Sequence, residues 1–353
     1  MEAIALIADI HANLLAAEAV LSDIHKKYRP DRIISLGDQV NLGPAPRDTL
    51  RLLRSENVTC LHGNHEGYIL SAMNNDPKYA GANFASLRFN ASLLKPDEIT
   101  FQKSLSYSGV TFCHALPEDD RFPVFDPALA LPRLQEKNDA PNTRIICGHG
   151  HNPLHYSLPN LTLDVIGSTG CMDDGVPGMA LYAMLYLSPG SVTLQPCVAW
   201  YDPAPLKELF ISSGFAEACP IMAHITCLQQ QRNFDYLMPF VTLARELAAE
   251  KNETDISPAT WSEADALFHW PDSVGTAEFW RTPPAYIAVT VLQKADTAKH
   301  TESRMFRFHI LGQANIRLCI FLQQRFLFKR NASFHIDHQR IKLFRVKRLR
   351  AVA

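Results

Sequence analysis

Five short polar clusters contain the residue types that bind divalent metal ions. They are Asp9-Ile10-His11, Gly37-Asp38, Gly63-Asn64-His65-Glu66, His114 and Gly148-His149-Gly150-His151. Together they offer carboxylate, amide and imidazole groups, and no thiolate. Such a mixed set suits Mn²⁺, Fe or Zn²⁺, whereas Cu(I) prefers softer ligands and Ca²⁺ prefers a cage of oxygen atoms. The clusters therefore predict a transition-metal site.

Seven side chains of these clusters are candidate metal ligands: Asp9, His11, Asp38, Asn64, His114, His149 and His151. Seven groups are too many for one ion. Two ions roughly 3.5–4 Å apart that share one carboxylate would use them all and leave positions open for water and a phosphate. In an extended backbone, Asp9 and His11 would point to the same side, as would His149 and His151. The set predicts a two-ion hydrolytic centre.

Each cluster follows an apolar segment that is predicted to be a strand. In the first sixty residues, the strands Ala3–Ala8, Arg32–Leu36 and Val58–Leu61 alternate with helices at Leu14–Tyr28 and Pro46–Ser55. This alternation indicates right-handed βαβ units and a largely parallel sheet. Ligands of such sheets bind outside the carboxyl ends of the strands, so we expect the clusters to meet in one crevice.

The rest of the chain changes character twice. Short apolar segments separated by Gly, Pro and Asn predict a second half of the domain that is rich in strands, from Gly109–His114 to Val192–Pro196. From Leu206 to about Trp280 the apolar spacing becomes helical, most clearly at Asp235–Lys251. We therefore expect a helical addition after the strands.

The five clusters, in this order, resemble the calcineurin-like metallophosphoesterases over roughly residues 1–200. Ala3–His11 with Asn13, and the segment Gly37-Asp38-Gln39-Val40-Asn41-Leu42-Gly43-Pro44, are similar to the small bacterial phosphodiesterases and phosphatases of that family. The resemblance implies an α/β fold, a four-layer sandwich of two mixed β-sheets flanked by helices, with a C-terminal helical extension. We expect a catalytic domain at 1–205, the helical extension at 206–284 and a basic tail at 285–353.

The resemblance also implies a role for each candidate residue. Asp9, His11 and His151 would hold the first ion, Asn64, His114 and His149 the second, and Asp38 would bridge the two. His65 would be the general acid, with Glu66 or Asp38 to orient its imidazole. The nucleophile would be a hydroxide between the ions that attacks phosphorus in line. We expect two divalent ions, Mn²⁺ first with Fe, Zn or Ni as alternatives, and a small phosphomonoester, phosphodiester or nucleotide as substrate.

Each cluster taken alone has an ordinary structural explanation. Asp9 or Asp38 could cap a helix, and His114, which only Cys113 and Ala115 flank, could be a core histidine. A fold that has lost catalysis and acts as a binding scaffold is an alternative to the enzyme, although every motif position is filled, including His65. The loop of Gly167–Gly170 and Asp173-Asp174-Gly175 could touch the substrate, but an ordinary turn explains it equally well.

The composition is that of a globular protein, with 47% hydrophobic and 20% charged residues. From Lys294 to Ala353, however, there are 14 Lys and Arg against 3 Asp and Glu. This basic tail makes a nucleic-acid-directed phosphodiesterase a second alternative. An extension translated out of frame, or one without fixed structure, would give the same composition.

The remaining features concern the cellular setting. The eight cysteines are scattered, with no C-x-x-C pair, which predicts reduced thiols. Asp9 and His11 interrupt the apolar start of the chain, and no uncharged apolar segment approaches the ~20 residues of a bilayer span. We expect a cytoplasmic protein without a membrane partner.

Overall fold

The computed structural model describes residues 1–136 and 143–282. The described strands are β1 (Glu2–Ile7), β2 (Arg32–Ser35), β3 (Thr59–Cys60), β4 (Ser104–Tyr107), β5 (Val110–Cys113), β6 (Thr143–Cys147), β7 (Leu154–Ser157), β8 (Leu161–Val165), β9 (Met179–Ser188) and β10 (Ser191–Trp200). The described α-helices are α1 (Leu14–Lys27), α2 (Pro46–Ser55), α3 (Asn64–Met73), α4 (Ala85–Leu93), α5 (Pro127–Glu136), α6 (Leu206–Ser212), α7 (Phe215–Ala218), α8 (Pro220–Arg232), α9 (Leu237–Glu250), α10 (Pro258–Leu267) and α11 (Thr276–Arg281). The predicted basic tail at 285–353 lies outside the described residues.

The strands form two five-stranded sheets. The first has the order β10-β9-β1-β2-β3, and the second has the order β4-β5-β6-β8-β7. In the first, β1, β2 and β3 are parallel, and β9 and β10 are antiparallel. In the second, β5, β6 and β8 are parallel between antiparallel edges. The mixed sheets that the family resemblance implies are confirmed. Parallel pairing, however, is limited to β1, β2 and β3 on one side of the first sheet and to β5, β6 and β8 in the middle of the second.

Alternate residues of β1 point into two different cores. Ile4 and Leu6 pack between the sheets, together with Phe112 of β5. Ala5 and Ile7 pack on the other side, against the buried face of α1. Helix α5 covers the outer face of the second sheet in the same way. The result is the expected four layers of helix, sheet, sheet and helix.

Helices α6 to α11 have an aromatic core of their own, built around Phe210, Phe240 and Trp261. Phe89 of α4 joins this core by stacking on Phe215, with ring centroids 4.6 Å apart. All described residues fall in one compact unit. The boundary at residue 205 between catalytic domain and extension therefore remains a prediction. None of the described helices is both long and apolar enough to cross a bilayer.

Candidate metal centre

The predicted site residues follow strands of both sheets. The first sheet supplies Asp9 after β1, Asp38 after β2 and Asn64 after β3. The second supplies His114 after β5 and residues 149–151 after β6. Eight side chains meet there: Asp9, His11, Asp38, Asn64, His65, His114, His149 and His151. The predicted crevice thus lies across the two sheets, at the carboxyl ends of their parallel strands.

Strand alternation is not what aligns the paired ligands. Both β1 and β6 end before the pairs, and φ is 52° at Asp9, 50° at His11, 62° at His149 and 51° at His151. The prediction of an extended backbone at these pairs is therefore wrong. A left-handed backbone costs a non-glycine residue roughly 1–2 kcal/mol. Contacts with neighbouring residues must therefore stabilise this conformation. One such contact is the His11 N–H, which donates to the Asp38 carbonyl at 3.0 Å.

A first group of side chains consists of Asp9, His11 and His151. The Nε2 atoms of His11 and His151 are 3.1 Å apart, and His151 Nε2 is 4.0 Å from Asp9 Oδ1. The other ring nitrogen of His151 lies 3.0 Å from the carboxylate of Asp173, which can only accept a hydrogen bond when ionised. In its neutral form, His151 therefore keeps a lone pair on Nε2, directed at His11.

A second group consists of Asp38, His114 and His149, with Asn64 beside them. His114 Nδ1 is 2.9 Å from the Leu36 carbonyl, which accepts its proton. The neutral His114 ring then directs a lone pair from Nε2 at two further acceptors. They are Asn64 Oδ1 at 2.8 Å and Asp38 Oδ2 at 3.2 Å.

Asp38 belongs to both sides of the centre. Its Oδ2 is 3.2 Å from His114 Nε2 and 3.9 Å from the Nε2 atoms of both His11 and His65. Asp38 is 1% exposed, so water does not screen these contacts. Buried lone pairs that face one another are costly unless a positive charge lies between them. A pair of divalent cations would satisfy these atoms, and the donor set fits Mn²⁺, Fe or Zn²⁺.

The protonation of the ion-free centre follows from the same contacts. Burial opposes the charged form of His114, but the charge of Asp38 and its hydrogen bond raise the pKa of His114 to about 10. Burial likewise opposes the charged form of His151, but Asp173 raises the pKa of that imidazole to about 9. For His149, burial and the neighbouring His114 lower the pKa to about 3. In the absence of ions, protons on His114 and His151 supply the positive charge.

Metal binding should therefore release protons. If His114 and His151, whose pKa values lie above neutrality, are ligands, they must lose their protons, so we expect at least two protons to leave per pair of ions bound, and a further one if a bound water becomes hydroxide. The apparent affinity should rise with pH up to about pH 9 or 10. Calorimetric titration with Mn²⁺ near pH 7, in buffers of different ionisation enthalpy, measures the release. Binding heats that do not depend on the buffer would contradict this protonation scheme.

His65 is oriented by a residue that the sequence reasoning did not single out for this role. Its Nδ1 is 2.7 Å from the Asn41 side-chain nitrogen, Nδ2. An amide nitrogen donates, so His65 Nδ1 accepts and the ring proton resides on Nε2. That Nε2 lies 3.9 Å from Asp38 Oδ2, on the side of the metal centre. Asn41 therefore holds a neutral ring whose Nε2–H is directed into the centre. To act as an acid, this ring must take up a second proton on Nδ1, and the Asn41 amide must then turn its oxygen toward that proton.

Glu66 contacts backbone rather than the His65 imidazole. Its buried carboxylate accepts hydrogen bonds from the N–H groups of Gly63 at 2.8 Å, Gln39 at 2.9 Å and Asp38 at 3.0 Å. Asp38 also meets His65 through the backbone, because the His65 N–H donates to Asp38 Oδ1 at 2.9 Å. Glu66 thus ties the loop after β2 to the start of α3.

The variant Glu66→Gln should lower the free energy of unfolding by about 1–3 kcal/mol, because its amide nitrogen would face a buried N–H donor. Urea denaturation followed by circular dichroism measures the change. Glu18→Gln, at an exposed position of α1, is the matched control and should be neutral. Equal stability of the two variants would show that these three hydrogen bonds contribute little.

Two further features of the centre escaped the sequence reasoning. The loop after β8 reaches it, since Asp173 contacts His151 and the Ser168 hydroxyl donates to the Asp9 carbonyl at 2.7 Å. The glycine-rich composition of that loop was visible in the sequence, but an ordinary turn explained it equally well. The second feature is α8, whose glutamines carry no recognisable motif.

Residues 3–171 match the family model described as calcineurin-like phosphoesterase. An uncharacterized protein of Methanocaldococcus jannaschii is 33% identical over 125 residues, which make up 33% of this chain and 50% of that protein. The chain thus spans about half the length of the curated relative that it matches. The family match ends before Asp173 and before all of the helices from α6 onward.

Solved structures with similar folds come from several organisms. A metallophosphoesterase from Sphaerobacter thermophilus is 25% identical, and the match covers 60% of this chain and 94% of that one with a TM-score of 0.46. A hypothetical protein from Pyrococcus horikoshii is 16% identical, and the match covers 67% of this chain and all of that one with a TM-score of 0.49.

Proposed function

We propose that the chain, whose residues 3–171 match the calcineurin-like phosphoesterase family, hydrolyses phosphoesters with two divalent metal ions. The observation that carries the proposal is the convergence of side chains from both sheets around the buried carboxylate of Asp38. Such a centre binds ions, whereas a group of helix caps or core histidines would not direct so many unshared lone pairs at one another.

We propose two sets of ligands among these side chains. Asp9, His11 and His151 would hold one ion, Asn64, His114 and His149 the other, and Asp38 would be shared. Imidazole, carboxylate and amide ligands without thiolate favour Mn²⁺, with Fe, Zn or Ni as alternatives. When bound, the ions would activate water for in-line attack on phosphorus and neutralise the phosphoryl oxygens.

Other residues of the chain would transfer a proton and position the side chains of the centre. His65 would act as the acid in its doubly protonated form, with Nε2–H directed at the leaving oxygen of the ester and Nδ1–H donating to the Asn41 side-chain oxygen once that amide has turned over. The carboxylate of Asp173 would keep the His151 ring turned toward its ion. The loop hydrogen bonds of Glu66 would hold Asp38 in place between the two groups. No covalent phospho-enzyme is needed.

The proposal is tested by metal content and turnover measured together. Purified protein is analysed for bound metals and assayed, with Mn²⁺ added, against p-nitrophenyl phosphate, bis-p-nitrophenyl phosphate and a panel of nucleotides. We expect hydrolysis that a chelator abolishes and Mn²⁺ restores. Bound metal without turnover of any ester would favour the binding scaffold instead.

A further inference from the structure

Helix α8 lies outside the residues that match the family, yet it contacts the metal centre. Pro220 is the first residue of this helix, and Asn233, which caps its end, has a left-handed φ of 49°. Near that end, Gln229 and Gln230 are 3% and 0% exposed. Buried amides of this kind need a specific hydrogen-bond partner, and both have one at the centre.

Gln229 acts on His151 through a carboxylate. Its Nε2 donates to Asp173 Oδ1 at 3.1 Å, and the same oxygen lies 3.0 Å from His151 Nδ1. Asp173 is therefore fixed by two donors, one from α8 and one from the ligand itself. A carboxylate behind a ligating imidazole sets the tautomer and the direction of the ring, and strengthens the ligand.

Gln230 acts on His11 through the backbone. Its Nε2 donates to the His11 carbonyl oxygen at 2.9 Å. Within the described part of the chain, the buried Nδ1 of His11 has no hydrogen-bond partner, so no neighbour fixes this ring through that nitrogen. The direction of the ring then depends on the backbone of His11, which is left-handed with φ 50°. Gln230 holds that strained backbone in place.

These contacts are confined to one half of the centre. Both glutamines lead to the His11 and His151 pair, whereas His114 is oriented by the Leu36 carbonyl of the sandwich. We propose that α8 is a positioning element that sets the affinity of the His11–His151 half for its ion and leaves the other half unchanged. This inference rests on the proposed two-ion centre.

The test replaces the amide of each glutamine by a thioether of similar volume, and the carboxylate of Asp173 by an amide. Gln229→Met, Gln230→Met and Asp173→Asn are titrated with Mn²⁺ and followed by calorimetry and electron paramagnetic resonance. Gln231→Met is the matched control, because Gln231 is the next residue of α8, is also buried, and donates to the Pro203 carbonyl instead. Circular dichroism and thermal unfolding show whether each variant is folded.

We expect one of the two binding steps to weaken roughly 10–100-fold in Asp173→Asn, and less in the two glutamine variants, with the other step unchanged. With two equivalents of Mn²⁺, the spectrum should change from that of a coupled pair to that of a single ion. The control should bind as the unaltered protein does.

Several results would overturn this inference. One is a set of folded variants that bind both ions with unaltered affinity. Another is an equal loss of affinity in both Mn²⁺-binding steps. A third is a loss of affinity in Gln231→Met as large as that in the other glutamine variants. If the unaltered protein binds fewer than two ions, the proposed two-ion centre is wrong, and the role of α8 that rests on it is wrong as well. Protein that binds two ions but hydrolyses no ester would contradict the proposed activity and leave the role of α8 standing.

Discussion

Replacing Asp38 by Asn should abolish the two-ion centre with little change to the fold. The amide keeps an oxygen that can accept from the His65 N–H, so the loop after β2 retains that contact. It loses the negative charge that faces both His11 and His114. We expect bound Mn²⁺ to fall to at most one ion per chain and turnover to fall by roughly 10³-fold or more, since bound ions contribute several kcal/mol to such reactions.

Elemental analysis of the dialysed protein gives the number of ions, and the p-nitrophenyl esters give the turnover. Asp48→Asn is the matched control, because that carboxylate lies in the first turn of α2 and accepts a hydrogen bond from Arg51 at 3.1 Å. Its metal content and turnover should not change. If the Asp38→Asn protein still binds two ions tightly, Asp38 is not the carboxylate that the two ions share.

The sequence was sufficient to predict that the candidate residues after the parallel strands lie together, because the residue types and the strand ends can be read together. Asp9 and Asp38 come directly after apolar segments, and that position alone places them at one edge of a sheet. His114 had the weakest local motif of the candidate ligands, and it lies 3.2 Å from Asp38. Strand order, and hence the separation into two sheets, was not visible in local patterns.

The groups that orient the ligands could not be predicted in this way. Gln230 is 219 positions from His11, and its helix has no motif that distinguishes this residue from Gln231. Asn41 was visible within the motif around Asp38, but its contact with His65 depends on how two loops fold against each other. Orientation of a ligand is a property of tertiary packing, whereas ligand chemistry is a property of residue type.

The position of the centre between two sheets has a consequence for folding. Asp9 and Asp38 belong to the first sheet, and His114 and His151 to the second, so the ions would join both. Without ions, buried imidazoles and carboxylates must balance one another's charge. Metal binding should therefore stabilise the packing of the sheets as well as supply chemistry, because ligands that bind only the folded state shift the unfolding equilibrium.

Replacing His65 by Gln should leave both ions bound and reduce turnover by roughly 10²–10⁴-fold, the range that a general acid contributes. Glutamine cannot transfer a proton to the leaving oxygen. The loss should depend on the leaving group: an alkyl phosphoester needs the proton and should show the largest decrease. p-Nitrophenolate departs readily without one, so p-nitrophenyl phosphate should show the smallest. Comparing the two esters in each protein, with elemental analysis of bound metal, measures both effects.

The matched control is His62→Gln, three positions earlier, where Nε2 points to Asp120 at 4.0 Å. It should lose little activity and show no dependence on the leaving group. A His65→Gln protein that loses an ion would make His65 a ligand. One that keeps both ions but slows equally with both esters would make it a binding group. Only a loss that grows with the basicity of the leaving oxygen identifies the proton on His65 Nε2 as the one transferred.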